Sequence, residues 1–216
     1  MYSPPEIVFG FHGCDKAVSD KVIKNSGKLS NSENSHDWLG SGIYFWEGDH
    51  DRALEWARNN IKISRPSVIG AVIKLGNCLD LLDSKDIKKV ETTYKIYKEE
   101  REKLNEPLHQ NKAVDASGIS FNRRLDCAVI MRLHQLNNEE IIDELKLKDS
   151  QGQNKRYIQR HGNYIDSVRG MFPEGLELYP GAGFRNKNHI QLCILNPNCI
   201  LGYFEPQKHN SWYKEL

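Results

Sequence analysis

Apolar residues alternate near both ends of this chain and recur at helical spacing in between. The run EIVFGFH (6–12) alternates and is rich in strand formers. HIQLCIL (189–195) and CILGYFEP (199–206), parted by NPN, repeat that character near the C-terminus. Segments so far apart must meet in a sheet if each is to bury its apolar face. The pattern predicts an α+β fold with a mostly antiparallel sheet.

The stretch between supplies the other elements. Asp15 is placed to cap a helix whose apolar face is Val18, Val22 and Ile23, with Gly27 at its stop. GIYFW (42–46) reads as a short strand, and Asp49 or Asp51 opens a helix carrying Ala53, Leu54, Ala57 and Ile61. SVIGAVIKL (67–75) is a β-branched strand and CLDLL (78–82) a shorter one. Ile87, Val90, Tyr94, Tyr97 and Leu104 keep three-four spacing, so an amphipathic helix runs up to Pro107. LDCAVIMRLHQL (125–136) and NNEEIIDELKL (137–147) read as two more helices. KLSNSENSHD (28–37), DSQGQNKRYIQRHG (149–162) and EGLELYPGAGFRNKN (174–188) read as loops. There is no internal repeat, and 216 residues read as a single domain with a helical insertion around 83–150.

Charge narrows the partners only a little. Thirty Lys and Arg oppose 29 Asp and Glu, which gives no global nucleic-acid signature but leaves room for a local basic face. No apolar run approaches the roughly 20 residues that span a bilayer. MYSPPEIVFG has no basic region ahead of an apolar core, so no secretory signal is expected. Cys14, Cys78, Cys127, Cys193 and Cys199 form no CxxC pair and read as reduced, buried thiols; the expected location is cytoplasmic, away from any membrane.

Several residues could carry chemistry. His12 ends the first strand and is followed at once by Gly13, which allows close backbone approach by a ligand. A lone histidine there is more often a satisfied core or surface residue. In GSGIYF, Gly40 and Gly42 permit tight geometry just before Tyr44, whose flat face suits stacking on an aromatic ring. Taken alone, Tyr44 is as readily an ordinary strand residue. Alternation places His189, Gln191 and Cys193 opposite Ile190, Leu192 and Ile194, and the Gln191 amide can fix a sugar hydroxyl without acting as a base. The spacings GxxxxGK[ST], GxGxxG, GxSxG and HExxH are absent. Glu47 and Asp49 could pass for a carboxylate pair but read better as helix N-terminal acids.

The joint order of these segments says more than any one of them. FHGC, then LGSGIYFWE with RALEWA after it, then NHIQLCILNP resembles the diphtheria-toxin-like, or poly(ADP-ribose)-polymerase-like, ADP-ribosyltransferases. The resemblance implies split, mostly antiparallel sheets forming an NAD cleft, with NAD as co-substrate and no metal. It implies that His12 hydrogen-bonds the adenosine ribose, that Gly13 clamps the nicotinamide amide with Gly42 nearby, and that Tyr44 stacks on nicotinamide. Gln191 stands where the family usually has glutamate, which favours mono-transfer over polymer synthesis. Glu174, or Glu177, in the loop before the third segment is expected to supply a carboxylate, and Arg169 and Arg185 flank that loop as phosphate-binding candidates. Lys155, Arg156 and Arg160, interleaved with Tyr157 and Tyr164, suit a nucleic-acid acceptor, though a solvated loop reads as well. A small stand-alone transferase of this kind is similar to effectors of bacterial toxin–antitoxin and phage-defence modules, for which an antitoxin protein would be a partner and RNA, DNA or protein the acceptor. The alternatives are a catalytically silent ADP-ribose- or RNA-binding module and a NAD glycohydrolase.

Overall fold

The computed structural model describes residues 5–113, 120–147 and 154–207. The chain opens with β1 (Ile7–Asp15) and α1 (Lys16–Lys24), then β2 (Ile43–Glu47) and α2 (His50–Asn59), then β3 (Pro66–Lys74) and β4 (Cys78–Asp80). Next come α3 (Ser84–Lys103), a ribbon of β5 (Asn111–Ala113) and β6 (Ser120–Arg123), α4 (Arg124–Glu144) and the single-turn α5 (Lys155–Ile158). β7 (Ser167–Phe172), β8 (His189–Ile194) and β9 (Ile200–Phe204) follow. Seven strands form one sheet in the order β4-β7-β8-β2-β1-β3-β9, and every neighbouring pair is antiparallel except β4 with β7. The fold is α+β with a mostly antiparallel sheet, in which β1 and β8 flank the central β2 and β9 forms an edge.

Both faces of the sheet are covered. On one side Val22 of α1 joins Phe45, Ile69, Ile73, Leu192 and Ile194 in the largest buried cluster. On the other, Ile130 and Leu133 of α4 meet Val168 and Cys193, while Ala53 of α2 meets Trp46 and Val68. This two-sided burial explains why His189 and Cys193 are buried although alternation places them opposite the more apolar face.

The helix starts follow their caps. Asp15 accepts from Ala17 N–H at 2.9 Å and also from the N–H of Arg65, and these bonds hold its carboxyl down to about 2. Asp49, not Asp51, caps α2 by accepting from Arg52 N–H at 2.9 Å. The helix stops at Asn59, so Ile61 lies outside it and is 98% exposed. At the end of α1 the left-handed residue is Ser26 (φ 52°), one position before Gly27.

Several elements depart from the sequence reading, among them the β5–β6 ribbon inside the stretch expected to be helical. The two helices expected between 125 and 147 are one: Asn137 and Asn138 sit inside α4 because buried Ile141 continues its packed face, and tertiary contact outweighs their weak helix preference. β7 was hidden because Arg169 and Gly170 interrupt its apolar run. The structure neutralises the first with carboxylates and fits the second beneath Trp38, whose Cη2 would lie 2.7 Å from an added Cβ. The segment expected as a loop from 149 to 162 includes α5, and residues 149–153 lie outside the described residues.

Buried His134 on α4 has no partner for either ring nitrogen among the described residues, and burial pushes its pKa from 6.5 down to about 4. The unfolded chain therefore binds more protons below pH 6.5, and stability present at neutral pH is lost as pH falls toward 4. The total is roughly 3 kcal/mol. His134→Leu is expected to flatten this dependence. Urea unfolding at pH 7 and pH 4.5 measures it, and an unchanged pH slope would remove His134 as the cause.

Candidate active site

The ladder between β1 and β2 holds two pairs, Gly10 with Glu47 and Phe11 with Trp46. β1 continues beside β3 to Asp15, while β2 pairs with β8 along Ile43 to Trp46. Past Phe11 the facing edges of β1 and β2 are no longer laddered, and His12 stands at the parting. Its Nδ1–H donates to the Tyr44 carbonyl at 2.8 Å, which fixes the neutral tautomer and leaves Nε2 as an acceptor. Burial lowers the His12 pKa, and the bond to Tyr44 partly offsets this.

Gly13 allows a close approach of helix to strand. A Cβ there would lie 2.2 Å from the Ala53 carbonyl oxygen, so only glycine lets α2 sit this near β1. The turn before β2 has a matching role. Gly40 adopts φ 85°, and its carbonyl accepts from the Tyr44 hydroxyl at 2.8 Å; that hydroxyl in turn accepts from Leu39 N–H at 3.1 Å. The phenol is thereby pinned, and burial pushes its pKa far upward, so it stays protonated. Across β2, the Gln191 Oε1 accepts from Trp38 Nε1 at 2.6 Å.

His12, Gly13, Tyr44, Glu174 and Gln191 line a single cavity of about 480 Å³. That size falls in the range of small-molecule and cofactor sites. Trp38, Trp46 and Trp56 contribute flat apolar walls. One end is charged: Arg52 Nη2 donates to Glu174 at 2.7 Å and Nη1 pairs with Glu55, whose other oxygen meets Lys187. His189 Nδ1 donates to the Lys187 carbonyl at 2.8 Å and lies 3.8 Å from Glu174. Burial lowers the His189 pKa. Arg52 Nε, Trp46 Nε1 and His189 Nε2 are buried with no partner among the described residues, an uncommon state for polar atoms.

Four expected site residues lie elsewhere. Arg169 is outside the cavity wall: Nε donates to Glu47 at 2.6 Å and Nη1 to Asp80 at 3.1 Å, in a site where Asp80 is 1% exposed. Arg185 braces its own loop by donating to the Gly175 carbonyl at 3.0 Å. Glu177 accepts from Gly181 N–H within the same loop. Gly42 is absent from the cavity wall; its N–H and carbonyl bond to Ser32, and a Cβ there would lie 2.5 Å from Cys193 Sγ. Glu47 belongs to the Arg169 ion pair, which ends its reading as a helix N-terminal acid, while Asp49 fits that reading as a cap. Arg52, Glu55, Trp56 and Lys187 escaped the sequence reading as site residues. The first three lie in or beside RALEWA, where the clue was an Arg and a Glu three apart on the first turns of a helix that follows the tyrosine strand.

No protein-family model matches the chain, and no solved structure matches it. It is similar to an uncharacterized protein of Methanocaldococcus jannaschii, 23% identical over 224 aligned positions that cover 94% of this chain and 86% of that one. Among the described residues no helix is long and apolar enough to cross a membrane, and no group of three or more His, Cys, Asp and Glu side chains could hold a metal ion.

Proposed function

We propose that this chain is a NAD-dependent mono-ADP-ribosyltransferase with an ADP-ribosyltransferase-like fold, acting inside the cell as a toxin or phage-defence effector restrained by an antitoxin protein. The acceptor in this reading is a nucleic acid or a protein. One observation carries the proposal: His12, Tyr44 and Gln191, from three separate strands, border the same cavity where β1 and β2 part.

The reaction breaks the bond between ribose C1′ and the pyridinium nitrogen. The bonding pair leaves with nicotinamide, which departs neutral, and positive charge gathers on the sugar as in glycoside cleavage. His12, locked by the Tyr44 carbonyl, offers Nε2 to a ribose hydroxyl. Tyr44 supplies a fixed aromatic face for nicotinamide. Gln191, oriented by Trp38, can align the sugar but cannot take a proton. Glu174, held by Arg52, shares the cavity wall with Asp37 and Glu55, and in this reading it receives the acceptor's proton.

Incubation with NAD labelled in its adenylate half tests the proposal. Label on a macromolecule supports transfer, free ADP-ribose means hydrolysis, and intact NAD means a silent binding module. Gln191 keeps that last reading in view. Gln191→Glu retains an oxygen for Trp38 and adds a negative charge beside the developing cation, so NAD cleavage is expected to hold or rise; complete loss would show that the amide itself is required.

A further inference from the structure

We infer a single-stranded nucleic-acid groove between α3 and α4, separate from the cleft. A cavity of about 680 Å³ lies there, with Lys85, Lys88 and Lys89 on one wall and Asn77, Asn137 and Asn163 among the others. None of these six lines the NAD cavity, so the inference stands whether or not the transferase reading does.

The charge pattern selects the ligand. Elsewhere, Lys16, Lys24, Lys95, Arg101 and Arg132 are each paired with a carboxylate. Lys85 and Lys88 form no ion pair among the described residues, and Lys89 pairs with Asp86. Glu140 is the one carboxylate in the cavity wall. The segment leading into Asn163 carries Lys155, Arg156 and Arg160, again without ion pairs among the described residues, and Tyr157 there is 62% exposed. Asn137 Nδ2 donates to the Asn163 carbonyl at 3.0 Å, which ties this basic segment to α4 and so to the cavity.

The chemistry fits unpaired nucleotides. Lysines meet backbone phosphates as mobile point charges. Asn77 Nδ2 is engaged with the Tyr164 carbonyl and Asn137 Nδ2 with that of Asn163, which leaves their side-chain oxygens to accept from base amino groups. Leu79, Leu133 and Ile165 give the cavity an apolar floor. Base edges reach such a floor only when they are free of a complementary strand.

The test is fluorescence anisotropy with a 5′-labelled 20-nucleotide mixed-sequence RNA, the matching DNA and its duplex, each titrated between 50 and 200 mM salt. Binding of a single strand in preference to the duplex is expected. The RNA and DNA arms show which sugar is preferred. The double variant Lys85→Glu/Lys88→Glu should weaken binding at least about tenfold and flatten the salt slope by about 1.4, the contribution of two phosphate contacts. Its exposed positions near the start of α3 tolerate acids. NAD cleavage by the same variant is expected to match the native chain. Lack of binding at 50 mM salt, equal affinity of the variant, preference for the duplex, or tighter binding of polyglutamate would each overturn the groove.

Discussion

Arg169→Met is expected to lower stability by about 3–5 kcal/mol, because it strips the counter-charge from two carboxylates enclosed with it. Asp80 is 1% exposed, and the Glu47 side chain is 17% exposed. Asp80, on β4 beside Arg169 of β7, cannot recover full hydration without parting those two strands. The urea midpoint should fall accordingly, and adding Glu47→Gln and Asp80→Asn should restore much of it by removing the stranded charges. Were the guanidinium instead a ligand for substrate phosphate, KM for NAD would rise while the midpoint stayed in place. The two readings therefore separate in one pair of measurements.

His12→Ala is expected to slow NAD cleavage at least tenfold, about 1.4 kcal/mol of barrier. Two losses combine. The Nε2 acceptor disappears, and so does the bond to the Tyr44 carbonyl, which ties β1 to β2 where the ladder has ended. Nicotinamide release is the readout, with the urea midpoint as a check on folding. A folded variant with the native rate would dismiss the histidine from the reaction. The pH profile adds a sign. Burial holds the His12 pKa below 6.5, so the rate should be level above that pH and decline on the acid side as Nε2 takes a proton.

How much of this could be read from the letters depends on distance along the chain. The strands EIVFGFH and HIQLCIL were legible because their period is local. Their places beside β2 were not, since no short-range pattern says which strands adjoin. His12 and Tyr44 drew attention through the glycines around them, and those glycines have geometric reasons: Gly13 admits α2, and Gly40 turns the chain so that its carbonyl meets the phenol. The surroundings of Arg169 were not legible because its partners lie 122 and 89 residues away; flanking sequence cannot distinguish a cation awaiting a ligand from one already neutralised. Lys187 and Arg52 were overlooked for a related reason, since the carboxylates that bring them to the cavity come from elements remote in the chain.

The position of β8 has a consequence for synthesis. β2 rests on two residues of β1 on one side and on β8 on the other. A growing chain that has passed the ribosome's exit only as far as α5 lacks the strand that supports Tyr44 and carries Gln191. Non-local pairing of this kind also slows folding. Incomplete products without β8 would thus lack Gln191 and the strand that supports Tyr44 at the cavity where β1 and β2 part.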